Sequence, residues 1–259
     1  MLGRIVERKK ERLVSAKFKT SISDLRSIIK DSDKPRDFQG AVQRGAGGIR
    51  LIAEIKRASP SRGRIRANFD HREIASIYEG KKVDAVSVIT EEDFFQGRLE
   101  FLPNIKRIVS MPVLRKDFIF SEYQIYEARA NGADAILLIA AILGDAQAED
   151  YLQISLGLGM SVLFEIHDIE ELGRALKLNV PLVGINNRNL KTLRIDLSTS
   201  LELKKEIPAD RTVVSESGIK ARDDVLKIER AGIDAMLVGT CLMESADIDT
   251  KIDQLMGRL

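Results

Sequence analysis

Ala133-Asp134-Ala135-Ile136-Leu137-Leu138 sets an aspartate and a small residue at the head of an apolar run, and the chain repeats this pattern. Val83-Asp84-Ala85-Val86-Ser87-Val88 precedes it and Ile233-Asp234-Ala235-Met236-Leu237-Val238 follows it, with a degenerate copy at Val180-Pro181-Leu182-Val183-Gly184-Ile185. Neighbouring copies lie about 50 residues apart, a length that fits one pair of strand–helix units. Strand-type apolar runs are predicted at Leu51–Lys56, Ala85–Ile89, Pro112–Arg115, Ala135–Ile139, Ser161–Ile166, Leu182–Asn186, Thr212–Glu216 and Ala235–Gly239, with helical patterns between them. These runs are continuously apolar, as strands buried on both faces must be. An open doubly wound sheet has no reason to repeat at alternate strands. A closed barrel does, because its odd and even strands fill alternate interior layers. No Gly-x-Gly-x-x-Gly or Walker pattern supports the open sheet. The predicted fold is therefore of the α/β class, a (βα)8 TIM barrel with extra N-terminal helices, forming one domain over residues 1–259.

The length agrees: 259 residues against about 250 for a single barrel of this kind. Forty-one basic and 39 acidic residues leave a net charge of +2, too balanced to argue for a nucleic-acid or membrane partner. One cysteine allows no intrachain disulfide. The N-terminus has no apolar signal core, and no apolar stretch approaches the roughly 20 residues of a membrane span. The expected compartment is the cytoplasm. Residues 1–48 are predicted to form helices laid over one end of the barrel, too few to hold a core of their own. Leu2, Ile5, Val6, Leu13 and Val14 make the stripe of the first helix, Ser23 is taken to cap the second, and Gly45-Ala46-Gly47-Gly48 marks a loop.

Barrels of this kind place their chemistry at the C-terminal ends of the strands. The first strand runs Ile52-Ala53-Glu54-Ile55-Lys56-Arg57-Ala58-Ser59-Pro60-Ser61, and the strand period puts Ile52, Glu54 and Lys56 on one face. Such a pair is either a structural ion pair or two groups delivered to a pocket. Later strands end in Arg115-Lys116-Asp117-Phe118, Phe164-Glu165-Ile166-His167, Asn186-Asn187-Arg188, Ser215-Glu216-Ser217-Gly218 and Gly239-Thr240, whereas they begin with small or apolar residues. That one-sidedness points to an enzyme. Ser217-Gly218-Ile219 and Gly239-Thr240-Cys241 read either as ordinary turns or, together, as a phosphate site of backbone N–H groups. Arg57, Arg62, Arg64 and Arg66 read mostly as a solvated charge run, with Ser61 and Gly63 giving that loop the make-up of a mobile lid. His167 reads as structural, His71 as a surface helix residue and Cys241 as a packing residue. No metal-ligand spacing is present.

Ala53–Ser61, Leu114–Phe118, Phe164–His167, Gly184–Leu190, Glu216–Ile219 and Val238–Met243, in this order, resemble the indole-3-glycerol phosphate synthases over essentially the whole chain. That family converts 1-(2-carboxyphenylamino)-1-deoxyribulose 5-phosphate to indole-3-glycerol phosphate, carbon dioxide and water in tryptophan biosynthesis. The resemblance implies Lys116 as general acid, Glu165 as general base and Glu54 as its assisting carboxylate. It makes Lys56 a substrate-gripping lysine that could serve as the dehydration acid, and Asn186 and Ser217 polar orienting groups. Like-charged Lys56 is expected to lower the Lys116 pKa against the pull of nearby carboxylates. Gly218, Gly239 and Thr240 are implied for phosphate. Substrate contacts are implied for Ser59 and Arg188, for Glu216 within the charge network, and for apolar walls at Pro60, Phe95, Phe118, Leu137, Leu190, Leu193 and Leu237. No cofactor and no metal are implied; the partner is a phosphorylated small molecule, and the expected form is a monomer open to association with other tryptophan-pathway enzymes.

Asn189 and Thr240 depart from the family's usual Asp and Ser, which bears on affinity rather than on the acid or base. A phosphoribosylanthranilate isomerase-like barrel is the nearest rival, but needs a cysteine where Glu54 and Lys56 stand. A Schiff-base aldolase with Lys116 as nucleophile, and a non-catalytic phosphate-sugar sensor, are the others.

Overall fold

The computed structural model describes residues 1–45 and 47–258, so Ala46 of the glycine-rich loop lies outside the described residues. Among the described residues ten strands form: β1 Arg50–Ile55, β2 Ala58–Ser59, β3 Gly63–Arg64, β4 Ala85–Ile89, β5 Val113–Lys116, β6 Ala135–Ile139, β7 Ser161–Ile166, β8 Leu182–Asn186, β9 Thr212–Glu216 and β10 Ala235–Val238. Eight of them close a parallel barrel in the order β1-β10-β9-β8-β7-β6-β5-β4. The other two, β2 and β3, make a small antiparallel hairpin in the loop after β1. The strand bounds differ from the sequence reading in three places. β1 is shifted one residue toward the N-terminus. β5 begins after Pro112, which has no N–H for a ladder, and β10 stops before Gly239, whose φ of −127° and ψ of −63° turn the chain into a helix.

Alternation along each strand separates two cores. Ile52, Leu114, Leu137, Leu163, Val214 and Leu237 point into the barrel. Ala53, Ile55, Val86, Val88 and Ile136 point outward against the surrounding helices. The outer layer holds α4 His71–Gly80, α5 Phe101–Lys106, α6 Glu122–Ala130, α7 Asp145–Gly157, α8 Ile169–Lys177, α9 Ser198–Lys204, α10 Arg222–Arg230, α11 Thr240–Glu244 and α12 Ile248–Met256. His71 is less of a surface residue than its position suggested: its ring stacks on Phe101 with centroids 4.2 Å apart.

The repeated Asp-Ala now has a physical reason. Leu51, Val113 and Val213 N–H groups donate to the carboxylates of Asp84, Asp134 and Asp234 at 2.8, 2.7 and 2.8 Å. Each aspartate thus clamps the start of one barrel strand to the barrel strand before it, at the N-terminal end of the barrel. The alanines that follow (Ala85, Ala135, Ala235) face inward there, in one cluster with Phe38 and Val42. Their small size admits the short helix α3 (Phe38–Val42), which plugs that end with two fully buried side chains.

The N-terminal segment reaches both ends rather than one. α1 (Leu2–Lys19) lies at the C-terminal mouth, where Lys9 Nζ is 2.8 Å from Asp117 and Arg12 Nε is 2.5 Å from Asp93. α2 (Ile22–Lys30) packs on α6 and is capped by Ser21, not Ser23, because Asp24 stands at the third position needed for a reciprocal capping box. The connector then crosses to the closed end, where the Arg36 and Arg44 N–H groups donate to Asp134 and Asp234. On α1 the stripe holds for Leu2, Ile5, Val6 and Leu13, but Val14 is 71% exposed. Buried Lys9 continues the inward face instead.

Asp134 is fully buried and accepts from Arg36, Val113 and Lys106. Asp134→Ala should therefore destabilise the protein by about 3 kcal/mol or more, since it strands buried donors and one ammonium. Thermal melts should show that loss while kcat, measured well below the transition, stays near wild type.

Candidate active site

Lys116 is the last residue of β5, and its ammonium stands inside the mouth rather than outside it. Nζ is 3.1 Å from Glu165 Oε2 on β7 and 2.8 Å from Glu216 Oε2 on β9. Beside this group Lys56 Nζ pairs with Glu54 Oε1 at 2.6 Å. Two glycines make room for the carboxylates: a side chain at Gly184 would collide with Glu216, and one at Gly239 with Glu54. Arg115, next in sequence to Lys116, points the other way and pairs with Asp117 and with Glu127 on α6.

Burial opposes the Lys116 charge, but Glu165, Glu216 and Glu54 outweigh it and hold the ammonium well above the usual lysine range. This reverses the expected lowering by Lys56, whose charge is already answered by Glu54. Burial likewise opposes the Glu165 carboxylate, yet Lys116 and His167 keep it ionised below the usual carboxylate range. Glu216 goes the opposite way. Burial, helped by repulsion from Glu165, raises it to about 7 in spite of Lys116. Its Oε1 is buried with no hydrogen-bond partner among the described residues.

Opposite this floor, Ser217 and Gly218 take φ values of 68° and 90°. Only the glycine does so freely; Ser217 is held by Asn187, whose Nδ2 donates to the Ser217 carbonyl at 3.0 Å. Asn187 is itself fixed by Ser200 and Ser215. Gly239 and Thr240 form the neighbouring turn, at the start of α11. Apolar walls complete the mouth. Phe95 and Phe118 face each other at 6.2 Å between ring centroids. Leu190 and Leu193 come from the loop after β8, and Leu137 and Leu237 from the strands.

The floor charges, the two glycine turns and the apolar walls, together with Ser59, Pro60, Asn186 and Arg188, line one cavity of about 340 Å³, while Asn187 borders a separate polar hollow. No residue singled out as a site candidate lies elsewhere. Burial, ahead of repulsion from Arg62, lowers the Arg188 pKa. Of the arginines after β1, Arg62 pairs with Glu244 at 3.1 Å and Arg66 donates to the Ser245 carbonyl at 2.8 Å, so these two are tied down. Cys241 also borders the cavity, with its thiol pushed up to about 11, chiefly by burial.

The sequence reading missed three contributors. Leu2 and Ile5 bring α1 to the cavity wall, a role their helical stripe did not distinguish from packing. Buried Glu91 accepts the N–H groups of Asp93, Phe94 and Phe95 at 3.1, 2.8 and 2.9 Å and so fixes the loop that presents Phe95. Asn187 was quoted only as part of a strand end. Its signal is a polar residue beside Asn186 where the strand period points it out of the barrel.

A family model described as indole-3-glycerol phosphate synthase matches residues 2–255. The indole-3-glycerol phosphate synthase of Albidiferax ferrireducens is 46% identical over 259 residues, covering 99% of this chain and 98% of its own. That of Paracidovorax citrulli is 47% identical over 263 residues, covering 99% of each. Among solved structures, thiamine phosphate pyrophosphorylase from Pyrococcus furiosus superposes with a TM-score of 0.61 at 16% identity, covering 80% of this chain and 94% of that one. A mutant tryptophan synthase alpha-subunit from the same organism gives 0.60 at 15% identity, covering 82% and 98%. At those identities the shared property is the barrel.

The raised Glu216 carboxyl has a consequence for stability. Its contribution is fully present below the ordinary carboxylate range and is lost as pH rises through about 7. Glu216→Gln removes that loss. The variant should melt higher than wild type at pH well above 7, with the gap closing as pH falls toward the ordinary carboxylate range.

Proposed function

The chain belongs to the indole-3-glycerol phosphate synthase family, and we propose that the floor of the barrel mouth carries out that family's reaction with Lys116 as general acid and Glu165 as general base. It is a carboxy-lyase of tryptophan biosynthesis acting on a phosphorylated small molecule. One observation carries the assignment of roles: the Lys116 ammonium lies within 3.1 Å of carboxylates from two other strands, inside the cavity that also holds the glycine turns.

In 1-(2-carboxyphenylamino)-1-deoxyribulose 5-phosphate the aryl carbon bearing the carboxylate attacks the ketone. A carbon–carbon bond forms, the carbonyl pair moves to oxygen, and Lys116 supplies the proton that oxygen needs. The bond to the carboxylate then breaks. Carbon dioxide departs and its electron pair restores the aromatic ring. In the last step the carbon–oxygen bond breaks as water leaves with a proton from Lys56 or Lys116, and Glu165, assisted by Glu54, takes a proton from the intermediate. The balance is one substrate to indole-3-glycerol phosphate, carbon dioxide and water.

Asn186, Ser217, Ser59 and Arg188 orient the polar substrate groups, and Glu216 sets the charge around Lys116. The apolar walls receive the aryl ring. Phosphate sits at Gly218, Gly239 and Thr240, and its binding energy holds the reacting carbons together. Residues 1–48 serve as an extension of the single barrel domain, since α1 supplies part of the cavity wall. We place the working enzyme in the cytoplasm as a monomer, open to association with other enzymes of the pathway; phosphorylated intermediates stay in the compartment that makes them. No helix among the described residues is long and apolar enough to cross a membrane.

Incubation with the carboxyphenylamino-deoxyribulose phosphate should produce indole fluorescence. Lys116→Ala should lower kcat by roughly 10² or more while substrate still binds, and near-normal turnover would remove Lys116 from the acid role. Borohydride should trap no adduct at Lys116, as it would in a Schiff-base enzyme.

The phosphate site needs a gentler probe than Gly218, where any side chain is strained by the φ of 90°. Thr240→Asp places a carboxylate beside the proposed phosphate. It should raise KM by roughly tenfold or more with little change in melting temperature, and an unchanged KM would move the phosphate elsewhere.

A further inference from the structure

Glu165 lies between two cations, and only Lys116 belongs to the reaction described above. The other is His167. Glu165 Oε1 is 3.3 Å from His167 Nε2, whereas Oε2 faces Lys116. His167 is anchored from behind by Glu171 of α8, whose Oε2 is 3.0 Å from Nδ1 and also accepts the His167 backbone N–H at 2.8 Å. All three side chains are shielded, with 3%, 9% and 15% of their surface exposed for Glu165, His167 and Glu171. The spacing produces this chain. Glu165 and His167 share a face where β7 ends, and Glu171 follows in the first turn of α8, with Asp168 as its cap.

We propose that His167 is a positioning residue for the base: it spans Glu165 and Glu171 and holds Glu165 Oε1 away from Lys116, leaving Oε2 to meet the reacting atoms. The inference rests on Glu165 being the base. Without a second cation, a buried carboxylate next to one ammonium gains by closing both oxygens onto it, and a base so captured cannot take a proton from substrate. His167 supplies the opposing pull.

To do so its ring must carry a proton on both nitrogens, as only the imidazolium does. Burial opposes that charge, but Glu165 and Glu171 outweigh it and raise the ring to about 10. The charged groups around the ring are Glu165 from β7 and Glu171 from α8, with Arg194 and Asp196 across a polar hollow that His167 borders. The Nε2 contact with Glu165 is an ion pair rather than an aligned hydrogen bond, so charge matters more here than shape.

Steady-state kinetics of His167→Ala, Glu171→Gln and Glu165→Gln across neutral to alkaline pH test this. His167→Ala should lower kcat about tenfold or more with KM within about threefold, and added imidazole should restore part of the loss. Glu171→Gln, a milder change distant from substrate, should pull the alkaline fall of kcat from near pH 10 toward the ordinary histidine range near about 6.5. A folded His167→Ala with wild-type kcat, a raised KM with kcat intact, or a Glu171→Gln profile superimposed on wild type would each overturn the positioning role. Glu165→Gln separates the premise from the inference. If that variant turns over normally, the base reading itself fails. If it is inactive while His167→Ala is unaffected, only the positioning fails.

Discussion

An ammonium group withdrawn from water must be neutralised by partners that are themselves withdrawn from water, and this constraint shapes the whole mouth of the barrel. Desolvating each ion costs several kcal/mol, so Lys116 is tenable there because Glu165, held ionised, approaches from another strand, with Glu216 from a third within hydrogen-bond reach. Neither is near Lys116 in sequence. Closure of the barrel supplies the proximity, strand register sets the height, and the absence of a side chain at Gly184 and Gly239 leaves space for the carboxylates. A one-residue slip in any of these strands would turn its charge outward.

The two ends of the barrel answer different demands. At the closed end, Asp84, Asp134 and Asp234 clamp strand to strand through backbone amides, and α3 fills the axis. Those carboxylates satisfy buried N–H donors and, at Asp84 and Asp134, the neighbouring Arg50 and Lys106 cations. At the open end the ionisable groups face a cavity and one another. The N-terminal segment joins the ends, because its connector is held by Asp134 and Asp234 while α1 is held by Asp117 and Asp93. Asp117 lies next to Lys116 in sequence, so the helix that walls the cavity is tied directly beside the proposed acid.

Strands were legible in the sequence because burial on both faces leaves a continuous apolar run that needs no knowledge of its neighbours. The Asp-Ala repeat was equally visible, but not its purpose, since the donor for each aspartate sits on another strand. The same limit explains the helix cap: Ser21 and Ser23 are alike in composition, and only the reciprocal bond with Asp24 separates them. At the site, residues at strand ends could be read off one by one. What could not be read was the sign of their mutual influence. Lys56 appeared as a like charge next to Lys116, yet its partner Glu54 and the carboxylates of β7 and β9 reverse its effect. Glu91 and Asn187 were hidden for a related reason, as Glu91 holds main-chain N–H groups and Asn187 holds the Ser217 carbonyl, and sequence does not display such groups.

On the proposed roles, acid and base are in contact at 3.1 Å before any reaction begins. Contact of this kind threatens to annul both by proton transfer, but the shifts run the other way: Lys116 is held above the lysine range and Glu165 below the carboxylate range. The pair is therefore charged and loaded, and for the same reason each member is a weaker catalyst than an isolated group. Whatever separates them strengthens both. A substrate whose reacting carbons enter between β5 and β7 removes from Lys116 the carboxylate that held its proton, and from Glu165 the ammonium that suppressed its basicity. Catalytic strength is then coupled to occupancy, and a second cation on the far side of Glu165 keeps the carboxylate from following Lys116 as the two are parted.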